Sequence, residues 1–289
     1  MTHLFCFGLG YSAGVLAKRL SARGWAVTGT STTAAGVARI SERGYTGLVF
    51  DGQSELQDDS QALPRATHIL LSVPPGASGD PAHRLYGSTI ANSPCVEWVG
   101  YFSTVGVYGD AGGGWVSEET EARPGSERGL RRLNAEGEWS ELGRRNRKPV
   151  MIFRLPGIYG PGRSAIDDLR AGTARRIVKP GQIFNRIHVD DIAGAVEASI
   201  ARPQALRVYN VTDDEPAPQQ DVVAYAAELL CLPQLPELDF ATADLSPMAR
   251  SFYLESKRVS NARMKAELGV KLAYPTYRQG LRAILEAGG

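Results

Sequence analysis

The sequence predicts an α/β protein built on a doubly wound parallel sheet, and three observations support this prediction. Short apolar runs recur along the chain, among them HLFCFG at 3–8, HILLSV at 68–73 and VMIFRLP at 150–156. Segments of helical periodicity separate these runs, and the first segment ends at Gly24, a residue type that often terminates helices. The runs are apolar throughout, which is typical of strands covered by helices on both faces.

The same periodicity predicts the remaining regular elements. Further strands are expected at 26–30, 47–51, 98–104 and 207–211, and further helices at 188–200 and 218–230. The Pro-rich segment 231–240 is expected to be a surface excursion, and Trp98 and Trp115 are interpreted as packing residues.

A glycine-rich turn follows the first predicted strand. It comprises Gly8, Gly10, Tyr11, Ser12, Ala13 and Gly14. A first glycine permits a tight turn, a second lets a pyrophosphate approach the backbone, and a small residue packs the helix against the strand. The N-terminus of the following helix favours negative charge. In this strand-turn-helix context the spacing predicts a dinucleotide-binding site, and a glycine-rich turn without a ligand is the alternative.

The end of the second predicted strand favours NADP over NAD as the cofactor. A carboxylate is expected there when the ribose 2′-hydroxyl of NAD is bound. The sequence TGTSTT instead offers the hydroxyl groups of Ser31 and Thr32, and Arg39 is a candidate cation for a 2′-phosphate. Asp51, at the end of the third strand, is interpreted either as an acceptor for the adenine amino group or as a turn residue before Gly52.

Several further segments, in order along the chain, carry a family resemblance. They are LLSVPP at 70–75, YFSTVGVYGD at 101–110, FRLPGIYGPGR at 153–163, NRIHVDDIAGA at 185–195 and YNVTDDEP at 209–216. Together with the glycine-rich turn, these segments resemble the extended short-chain dehydrogenase/reductases of the NAD-dependent epimerase/dehydratase type, particularly an atypical bacterial branch.

The resemblance implies a division of the chain and additional cofactor contacts. A dinucleotide-binding Rossmann domain is expected over 1–156 and a smaller substrate-binding region over 157–289, with 188–230 returning to the Rossmann core. The additional residues expected beside the cofactor are Ser72, Val73, Pro74, Pro156 and Ile158. A homodimer formed through helices that include 128–142 is also implied.

One motif of the family is altered in this chain. Members carry Tyr-x-x-x-Lys followed by Glu, and the matching segment RGLRRLNAE has Arg128, Arg132 and Glu136 at these positions. Arginine stays protonated in proteins and has no hydrogen-bond acceptor, so it is not a general acid or base near neutral pH. The two arginines are interpreted as binding an anion or a polarised carbonyl, or alternatively as part of a solvated helix face.

Hydroxyl groups are the remaining candidates for catalysis. The resemblance implies that Ser103 and Thr104 hydrogen-bond to the substrate. The predicted catalytic residues are therefore Ser103, Thr104, Arg128 and Arg132. Tyr108 and His188 are the other candidate proton donors, but neither is a convincing replacement for the missing tyrosine. Tyr108 is an additional tyrosine of the family block, and nothing indicates that it reaches a substrate oxygen. For His188 a structural role is favoured.

The segment on the substrate side is strongly basic. Its cationic residues are Arg163, Arg170, Arg175, Arg176, Lys179 and Arg186. If this segment lines the cleft, a phosphorylated or nucleotide-linked ligand is favoured, because guanidinium groups suit phosphate oxygens. A basic surface loop is the alternative.

Composition excludes several classes of function. The net charge of +1 over 289 residues argues against nucleic acid or an acidic membrane as a partner. Cys6, Cys95 and Cys231 are too far apart to form a metal site or a redox pair, and they are interpreted as reduced core thiols of a cytoplasmic protein. The predicted function is that of an NAD(P)-dependent oxidoreductase or epimerase acting on a small, anionic carbonyl or sugar substrate. A non-catalytic NAD(P)-binding sensor is the alternative.

Overall fold

The computed structural model describes residues 1–56 and 62–288, which divide into two compact units. Unit 1 comprises Met1–Thr104, Ser126–Arg154 and Ala193–Tyr209, and unit 2 comprises Val105–Gly125, Leu155–Ile192 and Asn210–Gly289. The expected division after residue 156 lies close to the crossing at Leu155. The expectation does not include the segment 105–125, which belongs to unit 2. The segment that returns to unit 1, 193–209, is shorter than the expected 188–230. Periodicity alone does not tell which sheet or core an element joins.

The strands and helices follow in chain order. The strands are β1 His3–Phe7, β2 Ala26–Ser31, β3 Thr46–Val49, β4 His68–Leu71, β5 Trp98–Thr104, β6 Trp115–Val116, β7 Val150–Leu155, β8 Gly157–Tyr159, β9 Arg176–Val178, β10 Arg186–His188, β11 Leu206–Asn210, β12 Glu237–Asp239 and β13 Arg258–Val259. The helices are α1 Tyr11–Ser21, α2 Ala34–Ser41, α3 Pro81–Asn92, α4 Glu127–Asn146, α5 Ala165–Arg170, α6 Val189–Ala201, α7 Gln219–Leu229, α8 Pro247–Phe252, α9 Ala262–Leu268 and α10 Tyr277–Glu286.

The predicted fold class is confirmed by a seven-stranded sheet in unit 1. Its strands run in the order β11-β7-β5-β4-β1-β2-β3, and the pairs β1–β2, β1–β4, β2–β3 and β4–β5 are parallel. The chain leaves β1 towards β2 and β3, and then crosses back to β4 on the other side of β1. This reversal opens a crevice at the carboxyl ends of β1 and β4, which is where ligands bind in open α/β sheets.

One face of this sheet is covered by α3 and α4. Alternate residues of the strands point towards these helices, so Phe5 and Phe7 of β1 join a single core with Tyr86 of α3 and Trp139 of α4. These side chains are almost completely buried, and each contributes roughly 1.5–3 kcal/mol to folding. The sheet therefore holds the strand ends, and the residues that follow them, in fixed positions.

Local signals explain where the covering helices begin and end. The Asp80 carboxylate accepts hydrogen bonds from two N–H groups in the first turn of α3, and Pro81 occupies a first-turn position that needs no N–H. The Ser126 hydroxyl caps α4 in the same way, by accepting from Gly129. The helix ends at Arg147, which has a left-handed φ of 53°.

Unit 2 is built from short strand pairs and helices. β8 pairs with β10, β9 with β12 and β6 with β13, all in parallel. A core of Tyr159, Ile166, Tyr277 and Leu281 packs α5, α7 and α10 together. The segment 231–240 lies at the surface as expected, and it includes the exposed strand β12 near its end.

Two smaller expectations are corrected by burial. Trp98 is completely buried, as predicted for a packing residue, whereas the Trp115 side chain is 65% exposed because it lies in a two-residue strand. Cys6 is a buried thiol, but Cys95 and Cys231 are free and exposed, so they are not core residues. Within residues 1–56 and 62–288, no helix combines the length and apolar character needed to span a membrane.

Candidate functional site

The glycine-rich turn lies in the crevice of unit 1, where the ends of three strands meet. Gly8 follows β1 with a φ of +86°, and its N–H donates to the Thr30 hydroxyl of β2 at 2.8 Å. A Cβ at this position would lie 3.1 Å from the Val73 side chain, which follows β4. Glycine is therefore required both by the backbone conformation and by the close approach of the neighbouring strand end.

The helix that follows the turn presents an open N-terminus. Gly10 is the N-cap of α1 and supplies no side-chain hydrogen bond to the first turn. A Cβ built on Gly10 would have nothing within 4 Å, while Ala13 behind it is completely buried against the sheet. N–H groups of an uncapped first turn, beside open space, form a binding site for phosphate oxygens.

The hydroxyl groups after β2 are arranged differently from one another. Thr33 caps α2 by accepting from the Gly36 N–H at 3.1 Å. The Ser31 hydroxyl occupies the space that a Cβ at Gly36 would fill, and Thr32 is exposed. A cation that sequence reasoning missed lies nearby, since an Arg43 guanidinium nitrogen is 3.2 Å from the Cβ position of Gly14.

Asp51 has the local role of a turn residue. Its carboxylate accepts hydrogen bonds from the N–H of Gln53 at 2.8 Å and of Ser54 at 3.4 Å. Gly52, between Asp51 and Gln53, has a φ of +78°. The bond from Gln53 holds the pKa of this exposed carboxyl below its usual range. The structure thus accounts for Asp51 without a contact to adenine.

The other residues expected beside the cofactor belong to different units. Ser72 and Val73 are half-buried after β4, and the Ser72 N–H donates to the carbonyl of Phe7. Pro74 in the same segment is exposed. Pro156 and Ile158 lie in unit 2, where Ile158 pairs with Ile187 in the β8–β10 ladder. Their contact with a cofactor stays a prediction.

A buried ion pair occupies the position where Ser103 was expected to face the substrate. The Ser103 hydroxyl donates to Oε1 of Glu136 at 2.5 Å. Arg154 of β7 binds the same carboxylate through Nε at 3.0 Å and Nη2 at 2.6 Å. All three side chains are at least 93% buried. The Ser103 proton is therefore committed to Glu136, and Thr104, half-buried at the end of β5, is the better candidate for a substrate contact.

The two arginines of the altered motif lie in unlike surroundings. Arg128 is exposed on the first turn of α4. Arg132, one turn later, is half-buried, and its Nη1 donates to the carbonyl of Phe102 at 2.6 Å and to the Tyr101 hydroxyl at 3.2 Å. Burial raises the pKa of Tyr101 in spite of this cation. Arg132 is thus held against the end of β5 at Phe102, the residue that precedes Ser103.

The two proton donors weighed from sequence have structural roles in unit 2. The Tyr108 hydroxyl is buried and donates to Asn210 Oδ1 at 2.7 Å. His188 Nδ1 accepts the N–H of Asp190 at 3.2 Å at the start of α6, and burial lowers the pKa of its imidazole. A neutral histidine that accepts a helix-terminal N–H is satisfied by the fold itself.

The basic segment on the predicted substrate side divides into two groups. Arg175 donates to the carbonyl of Asp244, Arg176 pairs with Glu237, and Lys179 donates to the carbonyl of Tyr253. Arg163 and Arg186 instead line a cavity of about 370 Å³ in unit 2. Neither interpretation, a cleft that binds phosphate or a basic surface loop, therefore holds for the whole segment. No cluster of potential metal ligands occurs in the described ranges.

Sequence reasoning missed Arg154 and Tyr101. A signal for Arg154 was present, because Glu136 lies on the apolar face of α4 and a buried carboxylate requires a cation. The arginine of the FRLP block is in the strand beside it. No comparable signal pointed to Tyr101, which belongs to an apolar strand.

Comparison with known proteins places the chain among proteins of the same length. No protein-family model matches it. Protein YeeZ of Escherichia coli is 31% identical over 281 residues, covering 93% of this chain and 94% of YeeZ. A functionally unknown conserved protein from Silicibacter pomeroyi has a solved structure that is 47% identical, with a TM-score of 0.89 and 100% and 99% of the two chains covered.

A third relative with a similar fold is described as dependent on NAD. The solved structure of a candidate NAD-dependent epimerase/dehydratase from Methylobacillus flagellatus is 27% identical, with a TM-score of 0.72 and 99% and 98% of the two chains covered. The fold is thus that of the NAD-dependent epimerase/dehydratase type of protein.

Proposed function

The chain belongs to the family of Escherichia coli protein YeeZ, and we propose that it is an NAD(P)-binding protein of the oxidoreductase or epimerase type. Its substrate is a small molecule that is phosphorylated or linked to a nucleotide. The observation that carries the proposal is the turn at Gly8 and Gly10, which presents an uncapped helix N-terminus beside open space in the crevice between β1 and β4.

NADP is the preferred cofactor in this proposal. The end of β2 offers Ser31 and Thr32 and has no carboxylate that would repel a 2′-phosphate. Arg43, beside Gly14 of α1, adds a positive charge on this side of the crevice, and Arg39 lies one turn earlier at the end of α2. A guanidinium is the group best suited to a phosphate dianion.

Catalysis, if it occurs, depends on few groups. Thr104 is proposed to hydrogen-bond to the substrate, and Arg132 to stabilise negative charge on its oxygen. Because arginine does not exchange its proton near neutral pH, the acid is supplied by water or by the substrate itself. The second candidate function is a dinucleotide sensor, and the commitment of the Ser103 proton to Glu136 favours it.

The quaternary structure and location are part of the proposal. A homodimer formed through α4 is part of the proposal because the family resemblance implies it. Two free, exposed thiols favour the cytoplasm, where they stay reduced. Light scattering of the purified chain measures the first expectation, and a fusion reporter measures the second.

The decisive experiment is a titration with NADPH and NADH, followed by fluorescence. We expect both to bind, NADPH more tightly, and Gly10→Glu to abolish binding because it places a carboxylate where the pyrophosphate lies. Gly10 has a φ of −84°, so the larger residue fits the backbone. Gly137→Glu on the exposed side of α4 is the matched control, since Gly137 also has open space around it, and light scattering checks that its oligomeric state equals that of the wild type. No binding of either dinucleotide refutes the proposal.

A second experiment separates the enzyme from the sensor. The wild type and the double variant Arg128→Tyr with Arg132→Lys are compared on a panel of carbonyl and sugar-nucleotide substrates. Activity in the wild type that falls with Thr104→Ala supports the enzyme. Tight dinucleotide binding with turnover only in the double variant supports the sensor.

A further inference from the structure

A second buried guanidinium, Arg186 of β10, forms no ion pair with a carboxylate of the described residues. It is 7% exposed, and its Nη1 donates to the carbonyls of Phe184 and Ala217 at 3.1 and 2.9 Å. Its Nη2 donates to Gln219 Oε1 at 2.8 Å. Among the residues that the structure describes, no acidic side chain lies within ion-pair distance of this group. Donors on Nε and Nη2 therefore remain available.

A buried charge without a counter-ion is expensive, and proteins normally pair it. Burial lowers the pKa of the Arg186 guanidinium, because removal from water disfavours its charged form. The carboxyl whose charge acts on Arg186 is that of Asp213, and burial raises the pKa of this carboxyl to about 8 in spite of Arg186. Burial thus disfavours the ionised form of Asp213, and no hydrogen bond or ion pair between this carboxyl and the Arg186 guanidinium occurs among the described residues.

Arg186 lines the cavity of about 370 Å³ in unit 2, which is large enough for a small metabolite. Tyr277 and Gln219 line the same cavity. The Tyr277 side chain is 1% exposed, and its hydroxyl has no hydrogen-bond partner in the described part of the chain. A second polar group beside this cavity therefore also lacks a partner that the protein could supply.

The lining of the same cavity also includes acidic side chains. Asp167 and Asp168 of α5 line it, and Asp167 accepts the Ser164 hydroxyl at 2.6 Å. Burial and the neighbouring Asp167 raise the pKa of Asp168. A ligand that fills the cavity therefore needs an acceptor for Arg186 and hydrogen-bond donors for the carboxylates of α5.

We propose that this cavity binds a small hydroxylated molecule through an oxyanion, a carboxylate or a phosphate, which Arg186 and the Tyr277 hydroxyl hold. The oxyanion supplies the counter-charge that Arg186 lacks and accepts the hydrogen bond that Tyr277 has free to give. The hydroxyl groups of the ligand donate to the carboxylates of α5. Arg163 of the same basic segment also lines the cavity, whereas Arg175, Arg176 and Lys179 are bound to their own partners.

This inference deepens the proposed function. It rests on that function in one respect, namely that the ligand of the cavity is the anionic substrate. Its residues all belong to unit 2, whereas the glycine-rich turn belongs to unit 1. The two ideas therefore fail separately. Loss of dinucleotide binding refutes the first, and loss of oxyanion binding refutes the second.

The test measures the thermal unfolding midpoint of the full chain against the concentration of three probes: inorganic phosphate, glycerol 3-phosphate and glycerate. Potassium chloride holds the ionic strength constant. We expect a saturable rise with at least one probe, and a stronger response to glycerol 3-phosphate than to inorganic phosphate. Which of the phosphates and glycerate binds more tightly identifies the oxyanion.

Three variants assign the binding to the cavity. Arg186→Met should weaken it at least about tenfold, as expected for a charge-assisted contact. Tyr277→Phe removes one oxygen and preserves packing, so it keeps the test valid if Arg186→Met fails to fold, and it should weaken binding about fivefold. Arg170→Ala, on the exposed end of α5 and outside the cavity lining, is the matched control and should bind like the wild type.

Two results overturn the inference. One is the absence of a saturable response to all three probes at constant ionic strength. The other is a response that survives in both Arg186→Met and Tyr277→Phe but disappears in Gly10→Glu, because the oxyanion then binds at the glycine-rich turn.

Discussion

Two arginines of equal burial have opposite environments in this protein. Arg154 in unit 1 and Arg186 in unit 2 are each 7% exposed. Arg154 binds the Glu136 carboxylate through two nitrogens, whereas the hydrogen bonds of Arg186 to described residues go to carbonyl and amide oxygens. A paired cation is a component of the framework, and an unpaired cation beside a cavity is available to a ligand. Burial alone therefore does not tell a structural arginine from a functional one.

The paired site connects three elements of the sheet layer. Ser103 belongs to β5, Glu136 to α4 and Arg154 to β7. Their hydrogen bonds fix α4 along the strands, and with it the position of Arg132. The altered catalytic motif is thus held by an ion pair that itself has no need to touch a ligand.

The largest expected effect is the loss of this pair. Glu136→Gln removes the carboxylate charge that binds the buried Arg154 guanidinium, and we expect the free energy of unfolding to fall by about 3–5 kcal/mol. Urea denaturation measures it, and hydrogen exchange should localise the loss to unit 1. The matched control is Glu141→Gln on the same helix, which breaks an exposed pair with Arg145 and should change stability by less than about 1 kcal/mol. Equal effects of the two substitutions would refute the structural role of Glu136.

The fold was predictable from sequence to a greater extent than the site. The apolar runs of β1, β4 and β7 and the helices at Val189–Ala201 and Gln219–Leu229 follow from periodicity, because burial imposes a spacing on the chain. The turn at Gly8 was predictable since its backbone demands glycine. The short strands of unit 2 were not, because pairs of two or three residues are stabilised by contacts that are distant in sequence.

The second prediction concerns Asp213, the acid whose charge acts on Arg186. Its folded-state pKa of about 8 lies above the ordinary value of roughly 3.9. The folded state therefore holds the proton more tightly, and the stability that this contributes is complete below about pH 4 and lost as the pH rises through 8. Asp213→Asn keeps the shape and the acceptor for the Glu215 N–H but does not ionise.

We expect Asp213→Asn to be more stable than the wild type above pH 8, by on the order of a few kcal/mol, and to match it near pH 4. Thermal unfolding from pH 4 to 9 measures the difference. The charged neighbours in this comparison are Arg186, Asp214 and Glu215, which the substitution leaves in place. A variant that is less stable at high pH would show that Asp213 is ionised and is the counter-ion of Arg186.

A smaller effect is expected for the hydroxyl at the paired site. Ser103→Ala removes one hydrogen bond to Glu136, which keeps both bonds from Arg154, so the unfolding free energy should fall by about 1–2 kcal/mol. The variant should bind NADPH as the wild type does. A loss of dinucleotide affinity or turnover without a loss of stability would restore Ser103 as a residue that contacts the ligands.

The direction of the Ser103 side chain shows why sequence could not resolve the site. Ser103 and Thr104 are adjacent in β5, and alternate residues of a strand point to opposite faces. Which of the two faces inward depends on register with α4 and β7, and the deciding partner, Arg154, is 51 residues further along the chain. A motif specifies the residue types at a site, whereas packing specifies where they point.

The smallest expected effect distinguishes a partnered from an unpartnered tyrosine in unit 2. Tyr108→Phe removes a hydroxyl that donates to Asn210, and it should cost about 1 kcal/mol. Tyr277→Phe removes a buried hydroxyl without a partner in the described residues, so stability should change by less than about 0.5 kcal/mol or even rise. Urea denaturation of both variants, without added anion, measures the contrast. A loss at Tyr277 equal to that at Tyr108 would show that its hydroxyl is already satisfied, and Arg186 alone would then have to hold the oxyanion.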